Sequence, residues 1–258
     1  MSDPRPPGAG GGIVVGTAGW SIPKADQEAF AAGKSHLARY ASRFDGVEIN
    51  SSFYRPHRLS TYQRWAGDVP DRFRFAVKMP KTITHQGRLV DRDGHLPRFL
   101  GEIAGLGAKL GPVLVQLPPS LVFDPVTAPS FFRELRAAFD GDVVCEPRHA
   151  TWFAPAVDSC LAEWRVARVA ADPRPHPGAA EPGGWRGLAY IRLHGSPKMY
   201  YSAYSEASLA AVAGDLARQR AAGGRAWCIF DNTAAFAATA NALATVERLA
   251  ADPRPIAD

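Results

Sequence analysis

Cysteine is scarce in this chain. Cys145, Cys160 and Cys228 are odd in number, lie far apart and form no CxxC pair, which argues against a disulfide framework and against a thiolate zinc site. They read as small core residues. Long apolar runs are missing too. Even "LGPVLVQLPPSLVF" is broken by prolines and by Gln116, well short of the roughly 18 to 20 apolar residues of a membrane span. The opening "MSDPRPPGAGGG" has no basic segment leading into an apolar one, so a secretory leader is not expected and a cytoplasmic location is. No HxH or HExxH spacing occurs. The 30 Lys and Arg against 25 Asp and Glu give a net charge of +5, which mildly favours anionic partners. The excess forms no basic block, so nucleic acid is not the favoured partner and no membrane partner is expected.

What is present is a rhythm. Short apolar runs recur along the 258 residues: 13–17, 46–50, 73–79, 112–117, 142–146, 165–172, 188–194 and 226–232. Helix-period segments fall between most of them, at 35–44, 58–66, 95–106, 127–138, 154–163, 206–221 and 233–249. Alternating strands and helices predict a parallel sheet, and eight such strands are the number that closes a TIM barrel. The sixth crossover, "PRPHPGAAEPGGWRG", is too rich in Pro and Gly for a regular helix and is expected to be irregular. The expectation is an α/β protein with one single-domain TIM (β/α)8-type barrel over 13–250, an N-terminal tail at 1–12 and a C-terminal tail at 251–258.

In such a barrel, catalytic groups come from the C-terminal ends of the strands. Polar residues collect there: Thr17, Glu48 and Asn50, Lys78, Gln116, Glu146 and Arg148, Asp172, Arg192 and His194, Asp231 and Asn232. Ionisable groups are rarely buried without partners. The two readings are an ion-pair layer that closes the barrel and a ligand site. Buried pairs stabilise less than apolar packing, which favours the site. Aromatic residues follow the same ends: Trp20, Phe53, Tyr54, Trp152, Tyr200, Tyr201 and Tyr204. Asn232 or Thr233 is placed to cap the eighth helix, where an anion would be attracted.

The segments "GTAGW", "VEINSSFYRP", "RFAVKMP", "VQLPPS", "CEPRHATWF", "YIRLHG" and "FDNTA" resemble the YecE-like family, single-domain TIM barrels catalogued as a domain of unknown function. They follow the family's order and span nearly the whole chain. The resemblance implies the barrel and leaves the chemistry open.

Three chemistries fit the residues. The first is an enzyme for a small anionic substrate, such as a phosphorylated sugar or nucleotide fragment, using hydrolytic or isomerase/lyase-type acid–base steps. Its catalytic candidates are Glu48, Lys78, His194 and Asp231. Its substrate-binding candidates are Asn50, Tyr54, Gln116, Glu146, Arg148, Arg192, Tyr200 and Asn232, with both arginines clamping the anion. The second is a metal-dependent isomerase or phosphoesterase with a divalent ion on Glu48, Glu146, His194 and Asp231, and His149 in reserve. Lys78, Arg148 and Arg192 argue against a cation in the same mouth, so no metal ligand or cofactor is assigned. The third is a non-catalytic nucleotide or nucleic-acid binder.

Overall fold

The computed structural model describes residues 12–251. The expected tails lie outside it, except that the Gly12 carbonyl accepts from Ala226 N–H and Ala251 ends the last helix. In chain order the elements are β1 (Ile13–Thr17), α1 (His36–Tyr40), β2 (Gly46–Ile49), α2 (Leu59–Asp68), β3 (Arg74–Lys78), α3 (His95–Ile103), β4 (Leu110–Gln116), α4 (Thr127–Ala138), β5 (Val143–Glu146), α5 (Pro155–Glu163), β6 (Val166–Arg168), β7 (Ala170–Asp172), β8 (Gly183–Gly184), β9 (Ala189–Leu193), α6 (Glu206–Ala221), β10 (Ala226–Phe230) and α7 (Ala237–Ala251). Local chemistry sets several boundaries. The Asp91 carboxylate accepts from the His95 and Leu96 N–H groups and so starts α3. Pro155 opens α5, where a missing N–H costs nothing. The sixth crossover holds only a 3-10 turn at Pro177–Ala180 and the two residues of β8.

The ladders form two sheets, with orders β1-β10-β9-β7 and β2-β3-β4-β5-β6-β8, parallel throughout except for β6 with β8. One continuous closed ladder is not found among the described residues. The expected strand 165–172 is divided at Val169: β6 pairs with β5, and β7 pairs with β9 of the other sheet. On the other side the sheets meet through a single parallel bridge, Ala18 with Glu48. The approach there is close. A Cβ on Gly16 would lie 2.2 Å from the Gly46 carbonyl oxygen, so neither backbone could pass if this position carried a side chain.

Alternation along each strand divides the core in two. Val47, Ile49, Val77, Val115, Cys145 and Phe230 face the helices, with Phe99, Phe131, Phe132 and Leu135 packed on that side. Ala76, Leu114, Val144 and Ala167 from one sheet meet Tyr190, Trp227 and Ile229 from the other in a second cluster, so the sheets face each other. The cysteines are all free; Cys145 and Cys228 are buried core residues as expected, whereas Cys160 is only partly buried. Among the described residues no helix is long and apolar enough to cross a membrane.

Candidate functional site

Above the inner cluster the next residues on the same faces are charged. Glu48 follows Gly46 on β2, Lys78 follows Ala76 on β3, Glu146 follows Val144 on β5, Arg192 follows Tyr190 on β9, and Asp231 follows Ile229 after β10. Arg192 is their hub. Its Nε donates to Glu48 Oε2 at 3.1 Å, Nη2 to Glu48 Oε1 at 2.7 Å and to Asp231 Oδ2 at 2.9 Å, and Nη1 to Glu146 Oε2 at 2.7 Å. Tyr190 Oη also donates to Glu48, at 2.9 Å. His194 lies between two of the carboxylates, with Nε2 2.8 Å from Glu146 Oε1 and Nδ1 3.0 Å from Asp231 Oδ2. Arg148 Nη2 donates to Glu146 Oε1 at 2.6 Å and approaches His194 Nε2 at 2.9 Å.

The cluster is nearly closed to solvent: Glu48, Arg192 and His194 have no exposed surface, and Lys78 and Asp231 keep 6% each. Burial pushes the Glu146 and Asp231 carboxyls up, but Arg192 with Arg148 and His194 for the first, and Arg192 with His194 and Lys78 for the second, outweigh it. The Glu146 carboxyl is thereby held well below the ordinary carboxylate range, and Asp231 is lowered as well. Burial lowers Arg192, yet its three carboxylates more than restore the charge.

Lys78 is the exception. Its Nζ makes no hydrogen bond or ion pair among the described residues and sits 4.1 Å above the Phe53 ring centre. Burial and the Arg192 charge lower its pKa to about 8, against the partial opposition of Glu48, Asp231 and Glu146. Three polar atoms at the strand ends are fully buried without partners among the described residues: Arg148 Nε, Asn50 Oδ1 and Asn232 Oδ1. The Asn50 amide nitrogen lies 3.5 Å from Asp231 Oδ1. The Tyr200 ring stands edge-on to His194, 5.7 Å between centres, on a backbone with φ of 68°. Such a conformation is strained for a bulky residue. Gln116 is half-buried beside Glu146 in register.

Several expectations are corrected. Arg192 gives four of its five N–H donors to carboxylates, which leaves little of the fork expected to clamp an anion. Asn232 is in opposite phase to Asp231; its Nδ2 donates to Ser202 O at 3.0 Å and Asn241 Oδ1 at 2.8 Å, bracing a loop against α7. Neither Asn232 nor Thr233 caps that helix, which starts only at Ala237. Tyr54 is 69% exposed and stands edge-on to Phe53 at 5.0 Å, with no hydrogen bond to the charged cluster among the described residues. Thr17 and Asp172 also face outward, to Tyr40 and Tyr204. Trp20 packs on Trp65, and Trp152 donates to the Leu121 carbonyl. The proposed metal ligands surround a guanidinium, and no three His, Cys, Asp or Glu side chains converge on a possible cation site among the described residues.

Sequence reasoning missed Tyr190 and His85. Tyr190 was readable, since it precedes Arg192 by two and shares its face. His85 lies on a π-helical turn, Thr82–Gln86, against Phe53 at 4.9 Å. Burial, Lys78 and Arg148 all lower its pKa. A cleft of about 640 Å³ is lined by Thr82 and Gln86 of the same turn, with Arg88, Arg92, His95, Leu121 and Trp152 among others, and by none of the charged residues at the strand ends. Size favours that cleft as a ligand site, whereas the convergence of perturbed ionisable groups favours the strand ends.

These features define a mixed α/β protein of two facing parallel sheets with an acid–base cluster at one end of the strands. The chain belongs to the family described as "Protein of unknown function DUF72", whose model matches residues 14–257. It is 32% identical over 171 residues to UPF0759 protein YecE of Escherichia coli (strain K12), covering 63% of this chain and 60% of that protein. It is 28% identical over 151 residues to UPF0759 protein YunF of Bacillus subtilis (strain 168), covering 55% and 53%. The aligned part thus spans little more than half the length of these relatives. Among solved structures, a DUF72 family protein from Enterococcus faecalis V583 superposes with a TM-score of 0.77 at 21% identity, covering 92% of this chain and 95% of that one. One from Thermotoga maritima MSB8 gives 0.75 at 23%, covering 92% and 99%. At these identities the likeness is one of fold.

Proposed function

We propose that this protein is an enzyme acting on a small anionic substrate at the C-terminal ends of its strands, and that its two sheets are arcs of a TIM-type (β/α)8 barrel. The shared segment 166–172 and the Ala18–Glu48 bridge support the second point, since each joins one sheet to the other. For the first, one observation carries the reading: an amine with no polar partner held among charges that are otherwise paired. A layer built only to join the sheets would have satisfied Lys78 as it satisfies Arg192, because an unpaired buried charge costs several kcal/mol, on the order of 3 to 5. Lys78 is the reacting group. Glu48, Glu146, Asp231 and Arg192 set its potential, His194 holds or moves a proton, and Arg148 and Tyr200 meet the substrate at the rim. Asn50 and Gln116 orient it. The carboxylates' engagement with Arg192 disfavours the metal-dependent version.

Thermal shift against inorganic phosphate, sugar phosphates, nucleoside monophosphates and an oligonucleotide tests this. Small anions are expected to raise Tm in the wild type and to lose that effect in Arg148→Met. Stabilisation by the oligonucleotide alone, falling steeply with salt, would replace the enzyme with a nucleic-acid binder.

A further inference from the structure

The atoms left without partners describe the shape of a substrate. Lys78 Nζ lies 4.1 Å over Phe53 with no hydrogen bond, Arg148 Nε is buried with no acceptor, and Asn50 Oδ1 is buried with no donor. Glu48, Glu146, Asp231, His194 and Arg192 are bonded to one another, and Asn232 Oδ1, also buried without a partner, belongs to the opposite phase of its strand end. Electrostatically the three are one neighbourhood. Lys78 and Arg148 both act on His85, Lys78 and Asp231 act on each other, and Asn50 borders Asp231. A nucleophile, an anion contact and a hydroxyl acceptor remain.

Resting on the enzymatic reading above, we infer that Lys78 forms an imine with an anionic aldehyde or ketone whose negative group faces Arg148 and whose hydroxyl, where present, donates to Asn50. The geometry suits this better than simple salt bridging to an anion. A lysine meant to stay charged would be expected to hold one of the neighbouring carboxylates, whereas burial and the adjacent Arg192 guanidinium favour the free amine, the form that attacks carbonyl carbon, against the pull of the Phe53 face on the ammonium. In the reaction the nitrogen lone pair adds to the carbonyl carbon to give a carbinolamine. The C–O bond then breaks, and the oxygen leaves as water with both amine hydrogens, so that C=O is exchanged for C=N without any oxidant or reductant. The imine nitrogen then takes up a proton from solvent, and the resulting iminium withdraws electrons from the neighbouring carbon. Proton removal there, or cleavage of a bond to it, is the chemistry that follows. Phe53 is assigned a positioning role, keeping water from the nitrogen.

The test uses the full chain with sodium cyanoborohydride, which reduces an imine to a stable secondary amine. Glyoxylate is the carboxylate probe, glycolaldehyde phosphate the phosphate probe, and glycolaldehyde the neutral control. Peptide mapping by mass spectrometry near pH 7.5 is expected to find the adduct on Lys78 at least about tenfold above the exposed Lys24, Lys34 and Lys198, and the anionic probes ahead of the neutral one. The wild-type map is itself the measurement, so the result does not hang on whether a variant folds; Lys78→Arg serves only to confirm the site. Labelling spread evenly over the exposed lysines, or none at Lys78, overturns the imine. If that happens while phosphate or sugar phosphates still raise Tm, the anionic-substrate enzyme stands without the covalent step; if neither is seen, both fall.

Discussion

Replacing Lys78 by methionine should make this protein more stable. Burial and Arg192 lower the ammonium from 10.5 to about 8, a drop of about 2.5, and at ~1.4 kcal/mol for each factor of ten the charged form costs the fold about 3 kcal/mol at pH 7. That figure already includes the attraction of Glu48, Asp231 and Glu146, which oppose the drop. Methionine matches the lysine stem in length, adds no charge and suits the Phe53 face, so packing should survive. For a chain of this size about 3 kcal/mol corresponds to roughly 6 to 12 °C in Tm. The sign with pH follows from proton counting. Between pH 8 and 10.5 the unfolded lysine is protonated and the folded one is not, so wild-type stability rises with pH across that window, while below pH 8 the full penalty is present. The gain from Lys78→Met should therefore be constant below pH 8 and shrink toward zero near pH 10.5. Paired melts of wild type and variant from pH 6 to about 10.5 cancel the tyrosines and other shared groups. A variant that melts lower at pH 7, or a difference that does not change with pH, would refute the reasoning that Lys78 is an unpaired buried charge.

Arg192→Ala should cost at least about 3 to 5 kcal/mol and in practice prevent folding, because it strands three carboxylates that the guanidinium now serves, and Arg192→Lys should not rescue it; expression and circular dichroism decide both. Acid should destabilise the protein: Glu146 and Asp231 are lowered from 4.5 and 3.8, so the stability they supply is whole above those values, begins to fall below them and is gone once pH has passed through their lower folded values. A pH titration followed by near-ultraviolet circular dichroism should show it, with a shallower acid limb in Glu146→Gln. Gly16→Ala should lower stability by about 3 kcal/mol or more, since its Cβ would enter the Gly46 carbonyl oxygen at 2.2 Å; an unchanged Tm would mean that the sheets do not meet here. Phe53→Ala should admit water to Lys78 and, by relieving the burial that lowers it, raise its pKa, read as an upward shift in the pH midpoint of cyanoborohydride trapping with glyoxylate.

The strand ends were legible because each inward charge follows an inward apolar residue by two: Val144 then Glu146, Ile229 then Asp231. The same rule, applied strictly, excludes Asn232 next to Asp231, and Asp172, whose partner across the ladder is Leu193. It also points to Tyr190. What alternation does not convey is which charge meets which. Arg192 serves Glu48, Glu146 and Asp231 because two sheets bring together strands far apart in sequence, and that is a matter of tertiary distance. The free state of Lys78 is likewise invisible in "RFAVKMP", where any nearby carboxylate was a plausible partner. The run 165–172 read as one strand since all of it is extended; its change of sheet at Val169 depends on pairing, which hydropathy does not encode.

That run has a mechanical meaning. Glu146 belongs to a strand paired with its first half, and Arg192 to a strand paired with its second half. The 2.7 Å contact between Arg192 and Glu146 therefore spans the same two sheets that this run of backbone joins, so the charged cluster and residues 166–172 fix one relative position of the sheets between them.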